Sequence, residues 1–194
     1  MEAFAWIVLE KSIAACIDWH QAGHPIAVSI NVSPICLSNP AFADKVIDFV
    51  ATQDIEPQYI IIEVTESSAI TNVPYFLESL ARLRMKGFGI SVDDYGTGHS
   101  SLQQLLRIPF SELKIDRSFV AGASANPALE TVLSASLDVC RKLNKDSVAV
   151  GVETQQDWDF LRKLGCTYAQ GYYIAKPMDG KILSVWMDEW AQFF

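Results

Sequence analysis

The sequence lacks the features that define several classes of protein. Acidic residues outnumber basic ones by 23 to 15, for a formal net charge of −8. We therefore expect no binding to nucleic-acid polymers or membrane surfaces, which requires basic patches. No apolar run is long enough to cross a bilayer. No linker or low-complexity segment divides the 194 residues, so we predict one globular domain over 1–194.

The cysteines give no sign of a disulfide framework or a metal-binding pair. Cys16, Cys36, Cys140 and Cys166 lie far apart, and no Cys-x-x-Cys pair occurs. They predict buried free thiols and a cytoplasmic location, although the sequence leaves disulfides open. The apolar segment 1–16 begins with an acid and has no basic n-region, so it predicts a helix rather than a signal peptide.

Short apolar runs alternate with longer stretches of helical spacing. Six runs predict strands: Ile26–Asn31, Tyr59–Glu63, Gly89–Asp94, Glu112–Asp116, Ser147–Glu153 and Tyr168–Tyr173. Four stretches predict helices: Pro40–Gln53, Pro74–Gly87, Asn126–Asn144 and Gln155–Gly165. Gly87 and Gly165 stand where helix C-caps belong. Because the strands look apolar on both faces, we predict an α/β fold with a parallel sheet, as a β/α barrel or a doubly wound sheet.

The residues at the strand ends favour the barrel. Each predicted strand carries a polar residue at or near its end: Asn31, Glu63, Asp93–Asp94, Asp116, Glu153 and Gln170. In a barrel these ends converge on one face, where active sites form. The alternative for each ending is that it caps the following loop or helix.

Converging carboxylates would need protons, a lysine or divalent cations to neutralise them. Glu66 lies close to Glu63 in the sequence and would add to the cluster. Carboxylates with an asparagine oxygen suit Mg²⁺, Mn²⁺ or Ca²⁺, and two such ions can support phosphodiester hydrolysis. Lys114 would orient a water, offset phosphate charge, or form a salt bridge with the acids. The glycine-rich loop 95–101 would approach a phosphate or hold an acid, and His99 within it is expected to be a loop residue.

Six ordered motifs resemble the EAL-domain family of cyclic di-GMP phosphodiesterases over about 6–178. They are "SINVSP", "EVTES", "SVDDYGTGHSSL", "LKIDRSFV", "GVET" and "GCTYAQGYYIAKPM". The resemblance implies a modified TIM barrel, a cyclic di-GMP site and two Mg²⁺ or Mn²⁺ ions in active members.

The resemblance also implies roles for individual residues. Asn31, Glu63 and Asp93 would bind one metal, and Asp93 with Asp94 would reach the second. Lys114 would lie beside the nucleophilic water, and Glu66 would hold the glycine-rich loop. A last group would contact the substrate: Gln170, Glu153 and Asp116.

Two departures from the family pattern predict lost chemistry. The Glu-Ala-Leu motif that supplies a metal ligand is absent, because "MEAF" at 1–4 runs directly into a helix and Glu2 is not its equivalent. We therefore expect an incomplete barrel that lacks about the first two strands. Val150 stands where the family has another glutamate ligand, and its side chain cannot bind a cation.

Three functions follow from these patterns: an active phosphodiesterase, an inactive domain that binds the dinucleotide or a protein, and a purely structural module. We favour the inactive domain. Open strand edges also predict a homodimer or a protein partner that covers them. The aromatic C-terminal helix, 179–194, includes Trp186, Trp190, Phe193 and Phe194, and it would pack on its own barrel or form such a cover.

Overall fold

Six parallel strands form one sheet in a computed structural model that describes residues 2–69, 75–97 and 101–192. The strands pair in chain order, β1 to β6. They are β1 (Val28–Asn31), β2 (Ile60–Thr65), β3 (Gly89–Tyr95), β4 (Glu112–Ile115), β5 (Asp146–Val150) and β6 (Tyr168–Gln170). The sheet curls into an incomplete α/β barrel of the TIM type, with six strands where a full barrel has eight.

Helices connect the strands and cover the outside of the curl. The α-helices are α1 (Glu2–Gln21), α2 (Pro34–Leu37), α3 (Pro40–Ala51), α4 (Phe76–Met85), α5 (Leu102–Leu105), α6 (Arg117–Val120), α7 (Pro127–Lys142), α8 (Gln155–Leu164) and α9 (Gly180–Trp190). Three short 3₁₀ turns lie at Pro57–Tyr59, Glu66–Ala69 and Ala123–Ala125.

Local sequence signals set where the longer helices begin and end. Asn39 and Asn126 cap α3 and α7, and each precedes a proline in the first turn. Thr154 forms a capping box with Asp157 at the start of α8. Gly165 ends α8 at φ 73, a left-handed conformation that glycine adopts without a Cβ clash. The four predicted helices are therefore present, with ends shifted by up to two residues.

The hydrophobic core lies on the convex side of the sheet, between the strands and the helices. Fully buried residues of α1, α3 and α4, such as Leu9, Phe42 and Leu80, pack against it. The strand residues in this cluster are Ile30, Ile60, Ile62, Val64, Ile90, Val92 and Leu113. A second cluster joins β5 to α7 and α8 through residues such as Ala149, Leu137 and Leu161. The convex side therefore stabilises the fold.

The concave face differs from the prediction that the strands are apolar on both faces. Strand side chains alternate between the two faces, and those between the core residues point into the curl. They include Ser29, Asn31, Glu63, Asp93, Glu112, Lys114 and Gln170. A packed TIM barrel fills its interior with bulky branched side chains, whereas this interior is an open polar trough.

The C-terminal helix contacts its own chain. The Trp19 indole of α1 donates a hydrogen bond to the Gly180 carbonyl at 3.0 Å. His24 lies 3.5 Å from Asp188, and the rings of Trp186 and Trp190 stack at 5.3 Å. This helix therefore lies against α1, as expected for packing on its own barrel. Phe193 and Phe194 lie outside the described residues.

The four cysteines are free thiols, as predicted, and three of them are fully buried. Burial raises the pKa of Cys140 to about 11, so this thiol is inert at neutral pH. Within the described part of the chain, no helix is both long and apolar enough to cross a membrane.

Candidate functional site

A polar cavity of about 540 Å³ opens between the carboxyl ends of the strands. Residues from all six strands line it: Ser29, Asn31, Glu63, Asp93, Glu112, Lys114, Val148, Tyr168 and Gln170. The parallel register explains the convergence, since Asn31 pairs with Glu63 and Lys114 pairs with Val148 on neighbouring strands. The volume falls within the range of small-molecule sites.

Lys114 forms the central contact of the cavity. Its Nζ lies 2.9 Å from Glu63 Oε1 and 3.4 Å from Asp93 Oδ2. The Lys114 and Glu63 side chains are only 9% and 6% exposed. Burial alone would lower the pKa of Lys114, but the hydrogen bond and charge of Glu63, together with Asp93, raise it overall. Lys114 is therefore a protonated cation that offsets the two carboxylates.

Asn31, an exposed residue of the edge strand, also contacts this cluster. Its side-chain Nδ2 donates to Glu63 Oε2 at 3.0 Å. Lys114 contacts one oxygen of Glu63 and Asn31 contacts the other. These contacts fix the orientation of Glu63 in the mouth, the opening of the cavity at the carboxyl ends of the strands.

The adjacent aspartates diverge at the end of β3. Asp93 faces Lys114, whereas Asp94 is exposed and has a left-handed backbone with φ 59. The pairing of β3 with β4 is irregular between Val92 and Tyr95, which lets the chain bend there. Although Asp94 is exposed overall, partial desolvation of its carboxylate, and then the Asp93 and Asp116 carboxylates, raise its pKa. A nearby cation would therefore be favoured at this position.

Glu66 anchors the glycine-rich loop from beneath. Its buried carboxylate accepts a hydrogen bond from Gly96 N at 2.7 Å. A Cβ at Gly96 would lie 2.2 Å from Phe119 Cε2, and φ there is +100, so this turn requires glycine. His99, expected to be a loop residue, lies in 98–100 outside the described residues.

The remaining predicted residues lie around the rim in different settings. Gln170 lines the cavity. Asp116 accepts hydrogen bonds from Ser118 N and Oγ and caps α6, the capping role considered for strand-end acids. Glu153 pairs with Arg117 at 2.9 Å, so it faces a cation rather than the buried cluster.

Neither Val150 nor Glu2 supplies a carboxylate to the mouth. Val150 ends β5, where it pairs with Gln170. Glu2 lies in the first turn of α1, so it is a helix residue, as predicted, and does not end a strand.

Residues of the kind that bind divalent cations lie beside Lys114. Glu63 and Asp93 supply carboxylate oxygens, and the Asn31 amide contacts Glu63 through its nitrogen. Carboxylate and amide oxygens are the hard ligands that Mg²⁺ or Mn²⁺ prefers. Among the described residues, no three His, Cys, Asp or Glu side chains are arranged to hold a metal.

Sequence reasoning missed three residues that shape the cavity. Ser91 donates to Glu112 at 2.6 Å beneath the Lys114 cluster, and Tyr168 lines the cavity beside them. Burial raises the pKa of Glu112, partly opposed by the Ser91 hydrogen bond. The signal was present, since Ser91 and Glu112 stand two positions before Asp93 and Lys114 and therefore share their strand faces.

Other concavities do not match the strand-end residues. A larger groove of about 920 Å³ lies on α8 and is lined by residues such as Ser124, Asp159 and Phe160. None of the predicted site residues lines it. We place the functional site at the strand ends despite the smaller volume, because carboxylates and a lysine converge there.

Comparison with known proteins matches the sequence to the EAL domain family over residues 1–177. The chain is 37% identical over 177 residues to the bifunctional diguanylate cyclase/cyclic di-GMP phosphodiesterase MucR of Pseudomonas aeruginosa, covering 91% of the chain and 26% of that protein. It is 35% identical over 173 residues to the cyclic di-GMP phosphodiesterase RocR of the same organism, covering 89% and 44%. The chain thus spans less than half the length of these relatives.

Solved structures show the same fold. The EAL domain of Mycobacterium smegmatis DcpA superposes with a TM-score of 0.89 at 30% identity, covering 97% of this chain and 85% of that one. The Pseudomonas aeruginosa MucR phosphodiesterase, in complex with cyclic di-GMP, superposes with a TM-score of 0.83 at 36% identity, covering 93% and 73%. Klebsiella pneumoniae BlrP1, a manganese and cyclic di-GMP complex, gives 0.78 at 28% identity, covering 89% and 45%.

Proposed function

Because the chain belongs to the EAL domain family, which is related to cyclic di-GMP signalling, we propose that its strand-end cavity binds cyclic di-GMP without hydrolysing it. Glu63, Asp93, Asn31 and Lys114 form the phosphate-facing floor of the site. Asp116, Glu153 and Gln170 form its rim.

One observation carries this proposal: Lys114, Glu63 and Asp93 form one paired cluster in the mouth, whereas position 150 at the end of β5 is a valine. Lys114 contacts both Glu63 and Asp93, and the side chains of Lys114 and Glu63 are buried. On the β5 side, Val150 offers no oxygen. Two-metal hydrolysis requires ligands for both ions, and removal of an essential metal or base commonly lowers rates by several powers of ten. Binding requires shape and hydrogen-bonding groups but not both metal ions, and the cavity is lined by polar side chains.

The chain's own residues supply specific functions at this site. Lys114 holds a proton on Nζ and offers positive charge to a phosphate oxygen. Asn31 and Lys114 fix the Glu63 carboxylate, and Glu66 holds the loop after Asp94. A Mg²⁺ or Mn²⁺ ion bound by Glu63, Asp93 and Asn31 would neutralise phosphate charge and polarise water.

An active phosphodiesterase is the second candidate. It is favoured by the cluster of Asn31, Glu63, Asp93 and Lys114, which places the residues expected for one metal and the nucleophilic water in one cavity.

Calorimetry and product analysis with cyclic di-GMP separate these functions. We expect binding in EDTA, and no linear dinucleotide above a metal-free control when Mn²⁺ is present. Gln170→Ala should weaken binding because it alters the cavity wall, whereas Gln155→Ala, on the exposed start of α8, should not. Metal-dependent turnover would establish the second candidate, and absence of binding would refute the first.

Val150→Glu tests why hydrolysis is absent. Restoring one carboxylate leaves the strand-end glutamate of the family's naming motif still missing, so we expect no turnover from this variant. Turnover by Val150→Glu would show that Val150 alone disables the site.

We further propose that the open sheet is covered in a homodimer. β1 and β6 are the two edges of the described sheet, and exposed edges invite pairing. Tyr168 and Tyr172 are 55% and 60% exposed beside β6. Light scattering should give twice the 21.5 kDa chain mass, and a monodisperse monomer that binds no hydrophobic dye would contradict this.

A further inference from the structure

Arg117 is a cation at the mouth with no role in the proposed site so far. It is the first residue of α6, two residues after β4 ends at Ile115. Its Nη2 lies 2.9 Å from Glu153 Oε1, and the two side chains are 59% and 40% exposed. The pair therefore stands at the solvent-facing rim, three residues after the buried Lys114.

The aliphatic part of the Arg117 side chain packs against Gly151, in the loop after β5. A Cβ at Gly151 would lie 2.3 Å from Arg117 Cγ and 2.6 Å from its Cβ. Gly151 N also donates to the Gln170 carbonyl at 2.8 Å. This contact between Arg117 and Gly151 thus lies next to both Val150 and Gln170. On this side of the mouth, β5 supplies no charged side chain.

The charges on this side of the mouth favour an anionic ligand at Arg117 over one at Lys114. Lys114 is engaged by Glu63 and Asp93 in a buried setting. Arg117 is engaged by one exposed carboxylate, and exposed ion pairs are weak because water and salt screen them. A phosphate can therefore displace Glu153 from Arg117 more readily than it can displace Glu63 from Lys114.

Guanidinium groups bind phosphate in a bidentate geometry that ammonium groups cannot form. We infer that Arg117 is a phosphate-binding residue of the cyclic di-GMP site, and that Glu153 holds it in place until the phosphate displaces the carboxylate. This inference rests on the proposed function, and it assigns to Arg117 the positive charge that the β5 side of the mouth otherwise lacks.

Calorimetry with cyclic di-GMP in EDTA tests this inference. Arg117→Gln should lower the affinity about tenfold, the equivalent of one lost charge-assisted hydrogen bond. Arg117→Lys should give an intermediate affinity, because lysine keeps the positive charge but cannot bind phosphate in the bidentate geometry. Glu153→Gln should raise the affinity about two- to threefold, because it removes the competitor of the phosphate.

Arg141→Gln is the matched control. Arg141 forms a similarly exposed pair, 2.6 Å from Asp138, on α7, and its removal should leave the affinity unchanged. Added NaCl should weaken binding by the wild type more than binding by Arg117→Gln, a difference that a purely structural role would not produce.

The outcomes separate this inference from the proposed function. Unchanged affinity in Arg117→Gln, with binding by the wild type, overturns the inference alone. Weaker binding by Glu153→Gln also overturns it, because Glu153 would then contact the ligand directly. Absence of binding by the wild type overturns both.

Discussion

Two ion pairs at the mouth have the same length and opposite settings. Lys114 and Glu63 lie 2.9 Å apart and are almost fully buried, whereas Arg117 and Glu153 lie 2.9 Å apart and are about half exposed. Distance alone would rank them as equal. Exposure to solvent makes their contributions to stability different. A buried charge that loses its partner has no water to take the partner's place, whereas an exposed charge does.

The difference shows how one site can contain an ion pair that stays fixed and an ion pair whose partners can separate. The buried pair stabilises the fold, since Lys114 neutralises the Glu63 carboxylate, which the strand register places in the interior. The exposed pair belongs to the surface, and its partners can separate without unfolding the chain. Ion pairs of similar chemistry therefore have different roles. The pair between β2 and β4 stabilises the fold, and we propose that the pair after β4 and β5 exchanges its carboxylate for a phosphate.

Removal of Lys114 should have the largest effect. Lys114→Met leaves Glu63 buried without its cation, and such a change typically destabilises a protein by about 3–5 kcal/mol. Urea denaturation at pH 7 measures the loss. Mn²⁺ should restore part of the stability in Lys114→Met, because Glu63, Asp93 and Asn31 remain to bind it.

Arg117→Gln is the control for that comparison. It removes an equally short contact from an exposed pair, so its effect on the free energy of unfolding should stay within about 1 kcal/mol. Equal losses in the two variants would refute the role assigned to burial.

Glu112 should produce the smallest effect, with a defined dependence on pH. Burial raises its pKa above the ordinary 4.5, so the folded state binds its proton more tightly than the unfolded state does. The stability linked to this group is complete below about pH 4.5 and is lost as the pH rises through the raised pKa. Glu112→Gln should therefore be more stable than the wild type at pH 7, and this advantage should disappear near pH 4.

Urea midpoints at both pH values measure this difference. Glu189→Gln, an exposed residue of α9, serves as the control and should show no such change with pH. An advantage for Glu112→Gln that persists at pH 4 would show that packing, and not ionisation, is responsible.

The sequence predicted the order of the strands and the meeting of Asn31, Glu63, Asp93 and Gln170 in one cavity. It did so because periodicity and strand-end chemistry are local properties. It overestimated β5 and β6, which end at Val150 and Gln170. Gly151, with φ +83, turns the chain away after β5, and a Cβ at Gly171 would lie 2.0 Å from the Val152 carbonyl oxygen. Both glycines were visible in the sequence, but their conformations depend on neighbouring strands.

Partner choice was the part of the site that sequence could not supply. Asp116 and Glu153 both follow strands, yet one caps a helix and the other pairs with Arg117. The sequence allows both a catalytic role and a salt bridge for Lys114, and the structure shows its contacts with Glu63 and Asp93. Such contacts depend on register between strands that are distant in the chain, which composition and spacing do not encode.

The backbone at Asp94 has a consequence for how degenerate sites are recognised. Its φ of 59 is a conformation that aspartate and asparagine tolerate better than other residues with a side chain. The shape of the bend is therefore sufficient reason for an acid at this position. The backbone conformation favours an aspartate here whether or not the site is active, so the pair of neighbouring aspartates alone is a poor diagnostic of activity.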